Sequence, residues 1–210
     1  MKKYIEIKNL TKSINKHVII SDINLELQRG KIYGFVGKNG SGKSTLFKVI
    51  AGLLVPTQGT VKVDNVDIFA KNVFPNSMRA IIETPNFIDE MSGLENLMFL
   101  ASLNKGTSKK VIEDLLKKLD LFDKKDIKVS KYSLGMKQKL GIIQAIMEDP
   151  IAIILDEPFN TLDEETVSIV RNILLEEKKN GKVILLASHI KEDIEFLADQ
   201  IYTMKDGKII

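Results

Sequence analysis

The sequence predicts an α/β protein: a core built on a parallel sheet, an N-terminal antiparallel β portion and an inserted helical subdomain. Three observations predict it. Apolar runs such as Ile32–Val36, Ile151–Leu155 and Val183–Ala187 alternate with helical patterns towards both ends of the chain. Near the N-terminus, shorter segments alternate apolar with polar residues, the mark of half-buried strands. Between about Pro85 and Pro150 the strand pattern gives way to helical spacing alone. The core is therefore expected over residues 1–85 and 151–210, with the helical subdomain over 86–150.

Taken in order, Tyr4–Lys8 and Ile23–Leu27 alternate as strands do. Ile32–Val36 is mostly apolar and ends at a glycine, which suits a strand buried on both faces. A helix is expected from Gly42 to Ala51, stopped by Gly52, followed by strands at Thr60–Asp64 and Ala80–Ile82. Leu94–Leu103 is helical in composition. Val111, Ile112, Leu115, Leu116 and Leu119 recur at spacings of three and four, giving one apolar helix face. Gly135–Met147 predicts a further helix that carries Ile142, Ile143 and Ile146 inward. Strands then return at Ile151–Leu155, Val183–Ala187 and Ile201–Met204, separated by helices over Glu164–Lys179 and Lys191–Ala198. Asp206-Gly207 suits a turn into a last short strand.

Composition narrows the function classes. At 210 residues and 44% apolar content, the chain can bury a sizeable core, and intrinsic disorder is excluded. No apolar run approaches the ~18 residues that span a bilayer. Met1–Glu6 has basic residues with no apolar stretch behind them, so no signal peptide is expected. Zero cysteines exclude a disulfide scaffold, a thiolate zinc site and a cysteine nucleophile. The net charge of +3 does not argue for nucleic acid, and arginine occurs only at 29, 79 and 171.

Chemistry enters at Gly37-Lys38-Asn39-Gly40-Ser41-Gly42-Lys43-Ser44, which fits G-x-x-x-x-G-K-[ST] without mismatch. It follows a buried strand and opens a helix, as its mechanism requires. Glycines let the backbone N–H groups curl into a nest for phosphate oxygens, and the helix start adds uncapped donors. Lys43 is placed to reach the β- and γ-phosphates and Ser44 to bind Mg²⁺, with Thr45 beside them. The core is thus of the P-loop NTPase class. Ile151–Leu155 ends in Asp156-Glu157, two carboxylates at the strand end where ligands of open parallel sheets sit. Asp156 is the expected Mg²⁺ partner, and Glu157 the group that polarises the attacking water. His189 follows another buried strand and reaches the same edge, whereas His17 falls in a polar loop.

Together these residues resemble the ATP-binding subunits of ABC transporters, over essentially the whole chain. Tyr132-Ser133-Leu134-Gly135-Met136-Lys137-Gln138-Lys139 is similar to the family's signature, leucine-serine-glycine-glycine-glutamine, in degenerate form. The resemblance implies a head-to-tail dimer in which Ser133 and Gly135 meet the ATP held by the partner's phosphate loop, with Asp163 near the seam. It also implies that Ser188-His189 is the switch histidine, contacting the γ-phosphate. ATP and Mg²⁺ are the implied cofactors, and integral-membrane subunits on separate chains the implied partners. The implied location is peripheral, on the cytoplasmic face of a bacterial membrane. A homodimer and a heterodimer both remain open.

Three positions depart from the family pattern. Ile14 falls where an aromatic residue usually stacks on adenine, and Leu134 stands where glycine is preferred. Glu83-Thr84-Pro85 replaces a glutamine loop, which makes Glu83 an expected metal ligand. Glu83, the Ser-Leu-Gly-Met-Lys-Gln phrase and Asn86-Phe87 resemble the branch that protects bacteria from bacitracin and lantibiotics, implying efflux of an antibiotic or antimicrobial peptide. The alternative is a soluble ATPase of an assembly machinery using the same engine. Chromosome ATPases need long coiled-coil insertions and ribosome-associated factors carry two cassettes in tandem, and this chain has neither.

Overall fold

The computed structural model describes residues 3–104 and 107–210; Met1 and Lys2, part of the leader expectation, lie outside them. A four-stranded antiparallel sheet has the order β2-β1-β4-β5, made of β1 (Lys3–Ile14), β2 (His17–Gln28), β4 (Gln58–Val63) and β5 (Val66–Asp67). The second sheet has six strands in the order β10-β9-β3-β8-β7-β6. Its members are β3 (Lys31–Val36), β6 (Met78–Ile81), β7 (Ala152–Asp156), β8 (Val183–Ser188), β9 (Gln200–Lys205) and β10 (Lys208–Ile209). All pair in parallel except β10, which returns antiparallel on β9. The helices are α1 (Lys43–Ile50), α2 (Gly93–Asn104), α3 (Lys109–Lys118), α4 (Leu134–Ile146), α5 (Glu164–Lys179) and α6 (Lys191–Leu197). Two short 3₁₀ turns, Phe122–Lys124 and Val129–Lys131, link α3 to α4.

Continuous apolar strands feed two cores because successive side chains point to opposite faces. On one face Ile153, Leu155, Ile184 and Leu186 join residues of α2 to α6. On the other, Ala152, Ile154, Leu185 and Ala187 join α1 and the inner side of the antiparallel sheet. The helical block is thereby seated on the parallel sheet through α4, which packs on β6 and β7. Its helices begin with side-chain caps: Ser133 Oγ accepts from the Met136 N–H at 3.2 Å, and Ser92 and Glu95 cap each other's backbone N–H at the start of α2.

Three local readings are corrected. The β1–β2 hairpin runs far beyond the alternating segments, to a turn at Asn15-Lys16 whose φ values are +49° and +66°. Register shifts along the pair break the alternation that would have marked its length. His17 therefore starts a strand opposite Ile14 and is not in a loop. On α3, Ile112 and Leu116 are buried while Val111 is 44% exposed, because the apolar stripe is centred one residue further on.

The close fit of α6 on β3 depends on a missing side chain. A Cβ at Gly34 would lie 2.1 Å from Ile194 Cγ2 and 3.1 Å from Ala198 Cβ, both on the α6 side. Gly34→Ala is expected to cost ~1–3 kcal/mol, read as a lower midpoint in urea with an unchanged slope. At the start of α5, the Thr166 backbone N–H donates to Asp163 at 2.8 Å and holds its carboxyl below the usual range. A lowered folded value contributes stability that is complete above ~pH 3.9, the unfolded value, and is lost as pH falls through the folded one. The thermal deficit of Asp163→Ala should accordingly shrink between about pH 6 and about pH 3.

Candidate functional site

Parallel pairing brings three strand ends to one level. Val36 of β3 lies beside Ser188 of β8, and Asp156 of β7 beside Ala187. The segments that leave these ends enclose a cavity of about 670 Å³, lined by Asn39 to Thr45, Glu83, Asp156 and Glu157 among others. That volume is in the ordinary range for a small-molecule site.

The phosphate loop is shaped for an anion. Gly42, at φ +103°, turns the chain into α1, and a Cβ there would meet Ile20 Cγ2 at 2.8 Å. Unlike α3, α4 and α5, α1 has no side-chain cap, so its first N–H groups are left for a ligand. Lys43 is 6% exposed, and its ammonium donates to the carbonyls of Gly37 at 2.7 Å and Lys38 at 3.3 Å. One of its three N–H donors stays free. Ser41 Oγ is buried without a hydrogen-bond partner. Gly37 and Lys38 thus act through their carbonyls behind the cavity, while Asn39, Gly40, Ser41, Gly42, Lys43, Ser44 and Thr45 line it.

Beyond the loop, Ser44 Oγ donates to Asp156 Oδ2 at 2.5 Å. Burial pushes the Asp156 carboxyl up, and the Glu157 and Glu83 charges add to that, against the Ser44 hydroxyl and the Lys43 charge, which pull it down. A divalent cation at this pair would relieve that burden. Among the described residues no three acidic or histidine side chains converge as a metal cluster. The donor set of one hydroxyl and one carboxylate fits Mg²⁺, which takes few protein ligands and completes its shell from phosphates and water.

Glu157 has φ +52°, unusual for a glutamate, and its backbone N–H donates to Ala187 O at 2.9 Å. Its Oε2 lies 2.8 Å from His189 Nδ1. With the carboxylate ionised, the ring nitrogen is the donor. His189 does not line the cavity and reaches it through Glu157. Glu83 lines the wall, but its Oε1 is paired with Lys48 Nζ of α1 at 2.6 Å.

Ser133, Gly135 and Asp163 line an adjoining recess with Thr161 and Leu162 instead of the main cavity. Gly135 lets α4 approach the turn after β7, since a Cβ there would lie 2.8 Å from Thr161 O. Leu134 is 67% exposed and touches both hollows. Ile14 sits at the hairpin tip, 43% exposed, and the cavity is instead lined by Ile19.

Several lining residues were given no role from the sequence: Ile19, Thr84, Pro85, Lys137, Gln138, Asn160 and Thr161. All but Ile19 lie within the motif stretches, so membership of a motif was the available signal. Gln138 Nε2, for instance, donates to Pro158 O at 3.0 Å and ties the signature helix to the turn after Glu157.

Comparison with known proteins agrees with this geometry. Residues 20–160 match the family model described as ABC transporter. The bacitracin transport ATP-binding protein BcrA of Enterococcus faecalis is 41% identical, across 100% of this chain and 69% of its own length. The lantibiotic transport ATP-binding protein SrtF of Streptococcus pyogenes is 36% identical, across 98% of this chain and 89% of its own. A solved ATP-binding subunit of an ABC transporter matches with TM-score 0.90 and 28% identity, over 98% of this chain and 88% of that one. With an uncapped phosphate loop, paired strand-end carboxylates and these relatives, the chain belongs to the ABC transporter family as an ATP-binding ATPase domain.

Proposed function

We propose that this chain powers efflux of an antibiotic or antimicrobial peptide, hydrolysing Mg²⁺-ATP on behalf of membrane subunits carried by other chains. The observation that carries the reading is the convergence of Lys43, Ser44, Asp156, Glu157 and, through Glu157, His189 on one cavity. The cargo class rests on the bacitracin and lantibiotic transport relatives, which favour it over an assembly ATPase. Among the described residues no helix is long and apolar enough to cross a membrane; in this reading translocation is the work of partner chains.

The residues divide the work by chemistry. Gly37 to Thr45 hold the triphosphate through backbone N–H groups, with Lys43 adding a buried positive charge. Ser44 and Asp156 would hold the metal, with Glu83 as a further ligand, and Mg²⁺ there would supply neutralisation of phosphate charge. Glu157 orients the attacking water and accepts its proton, while His189 keeps that carboxylate aimed and acts on the γ-phosphate side through it. The recess at Ser133, Gly135 and Asp163 belongs to the ATP of a second subunit, which makes the working unit a head-to-tail dimer on the cytoplasmic side of the membrane.

Glu157→Gln should keep ATP binding, lose at least about 100-fold in turnover and accumulate as a dimer on size exclusion. Near-native hydrolysis in that variant would remove Glu157 as the base. Lys43→Ala should lose ATP binding in a titration with a fluorescent analogue. Tagged chain drawn from solubilised native membranes should bring down a multi-spanning protein that stimulates hydrolysis; recovery of a purely soluble chain would refute the transport role.

A further inference from the structure

The cavity described above is short of positive charge. Its lining has three carboxylates, Glu83, Asp156 and Glu157, against two ammonium groups, Lys43 and Lys137. Side-chain charge in the lining is thus net negative, offset within it by the backbone N–H groups of the phosphate loop and, just outside it, by Lys48. Lys48 projects from the second turn of α1, and its Nζ lies 2.6 Å from Glu83 Oε1.

Stability does not account for the pair. Its side chains are 35% and 63% exposed, and an exposed ion pair of this kind adds little to folding. The backbone at Glu83 is nevertheless held at φ +65°, where a glutamate is uncommon. Lys16, Glu83, Glu157 and Thr161 are the described residues with positive φ that are neither glycine, asparagine nor aspartate, and all but Lys16 line this cavity. Glu83, two residues beyond β6, is paired with Lys48 and lines the same cavity as Ser44 and Asp156.

We propose that Lys48 is a positioning residue for Glu83, holding the carboxylate at the cavity rim and competing for it with the divalent cation that enters with the nucleotide. The inference rests on the Mg²⁺-ATP reading given above. Before the metal arrives, the pair keeps one carboxylate away from the phosphates. When the metal is present, Glu83 can exchange the ammonium for the cation, and Lys48 is released towards solvent. Glutamate at this position is thereby tolerable beside Asp156 and Glu157.

The test uses the full chain and measures ATP affinity by titration in a chelator and in excess Mg²⁺, for native protein, Lys48→Met, Glu83→Gln and the double variant. Lys48→Met should bind metal-free ATP about fivefold more weakly at low salt, with most of that loss screened away at about 0.5 M. Binding of Mg²⁺-ATP should be unchanged or tighter, because the freed carboxylate is available to the metal. In the Glu83→Gln background, the same lysine change should move the ratio of the two affinities by less than about twofold. Equal losses with and without Mg²⁺, an equal ratio change when residue 83 is glutamine, or no change at all would each overturn the proposal. Both side chains are exposed, and matching thermal melts will show that the variants fold. Failure of the underlying reading looks different: native protein would not bind ATP, or Lys43→Ala would bind it as well as native protein does.

Discussion

Backbone hydrogen bonds between β7, β8 and β3 hold together residues that the chain keeps 112 positions apart, and every function of the site depends on that register. With Asp156 level with Ala187 and Val36 level with Ser188, the phosphate loop, the acidic strand end and the histidine loop all leave the sheet on one edge. Side chains on strands alternate faces, so a slip of one residue would carry Asp156 to the opposite face and dismantle the Ser44 contact. The strands that set the register are buried on both sides. Slippage would therefore misfit packed side chains in both cores at once.

The site concentrates charge where burial resists it. Lys43 and Asp156 are both buried, and each is satisfied by local partners: two carbonyls for the ammonium, a hydroxyl for the carboxylate. Ser41 Oγ lacks such a partner, and the first turn of α1 lacks a cap. These are places where an ordinary protein would spend a side chain on satisfying itself. Left open at one cavity, they form a surface suited to an anionic ligand. Backbone conformations unusual for their residues occur around the same cavity, at Glu83, Glu157 and Thr161, where the chain must turn sharply to present side chains inward.

The helical block reaches this chemistry through few contacts. Gln138 binds the Pro158 carbonyl, Gly135 closes on Thr161, and Gly141 lies against Pro85. Each connection joins α4 to a segment flanking Glu157 or Glu83. A rotation of the block would thus bear on the segments that carry two of the cavity's carboxylates, Glu157 and Glu83. Arg171 makes a comparable link from the far side, pairing with Asp193 at 2.5 Å while lying over the rings of Phe159 and Phe196.

Much of this was legible in one dimension because local rules suffice for it. The phosphate loop announces itself through glycine spacing and its place between a strand and a helix, and the apolar runs of β3, β7 and β8 mark strands buried on both faces. Period and composition located all six helices to within a residue or two. The length of the β1–β2 hairpin was not legible, since register shifts erase alternation and a turn at Asn15-Lys16 carries no glycine. Nor were the partners of the charged residues. That His189 meets Glu157, that Glu83 meets Lys48 and that Ile19 rather than Ile14 lines the cavity depend on which strands become neighbours, and strand order is settled by long-range packing. The chemical groups and the elements that carry them follow from the order of residues, because phosphate nests and helix periodicity are local. Which groups face each other follows from the assembled fold, because contacts between distant segments exist only once the sheet has formed.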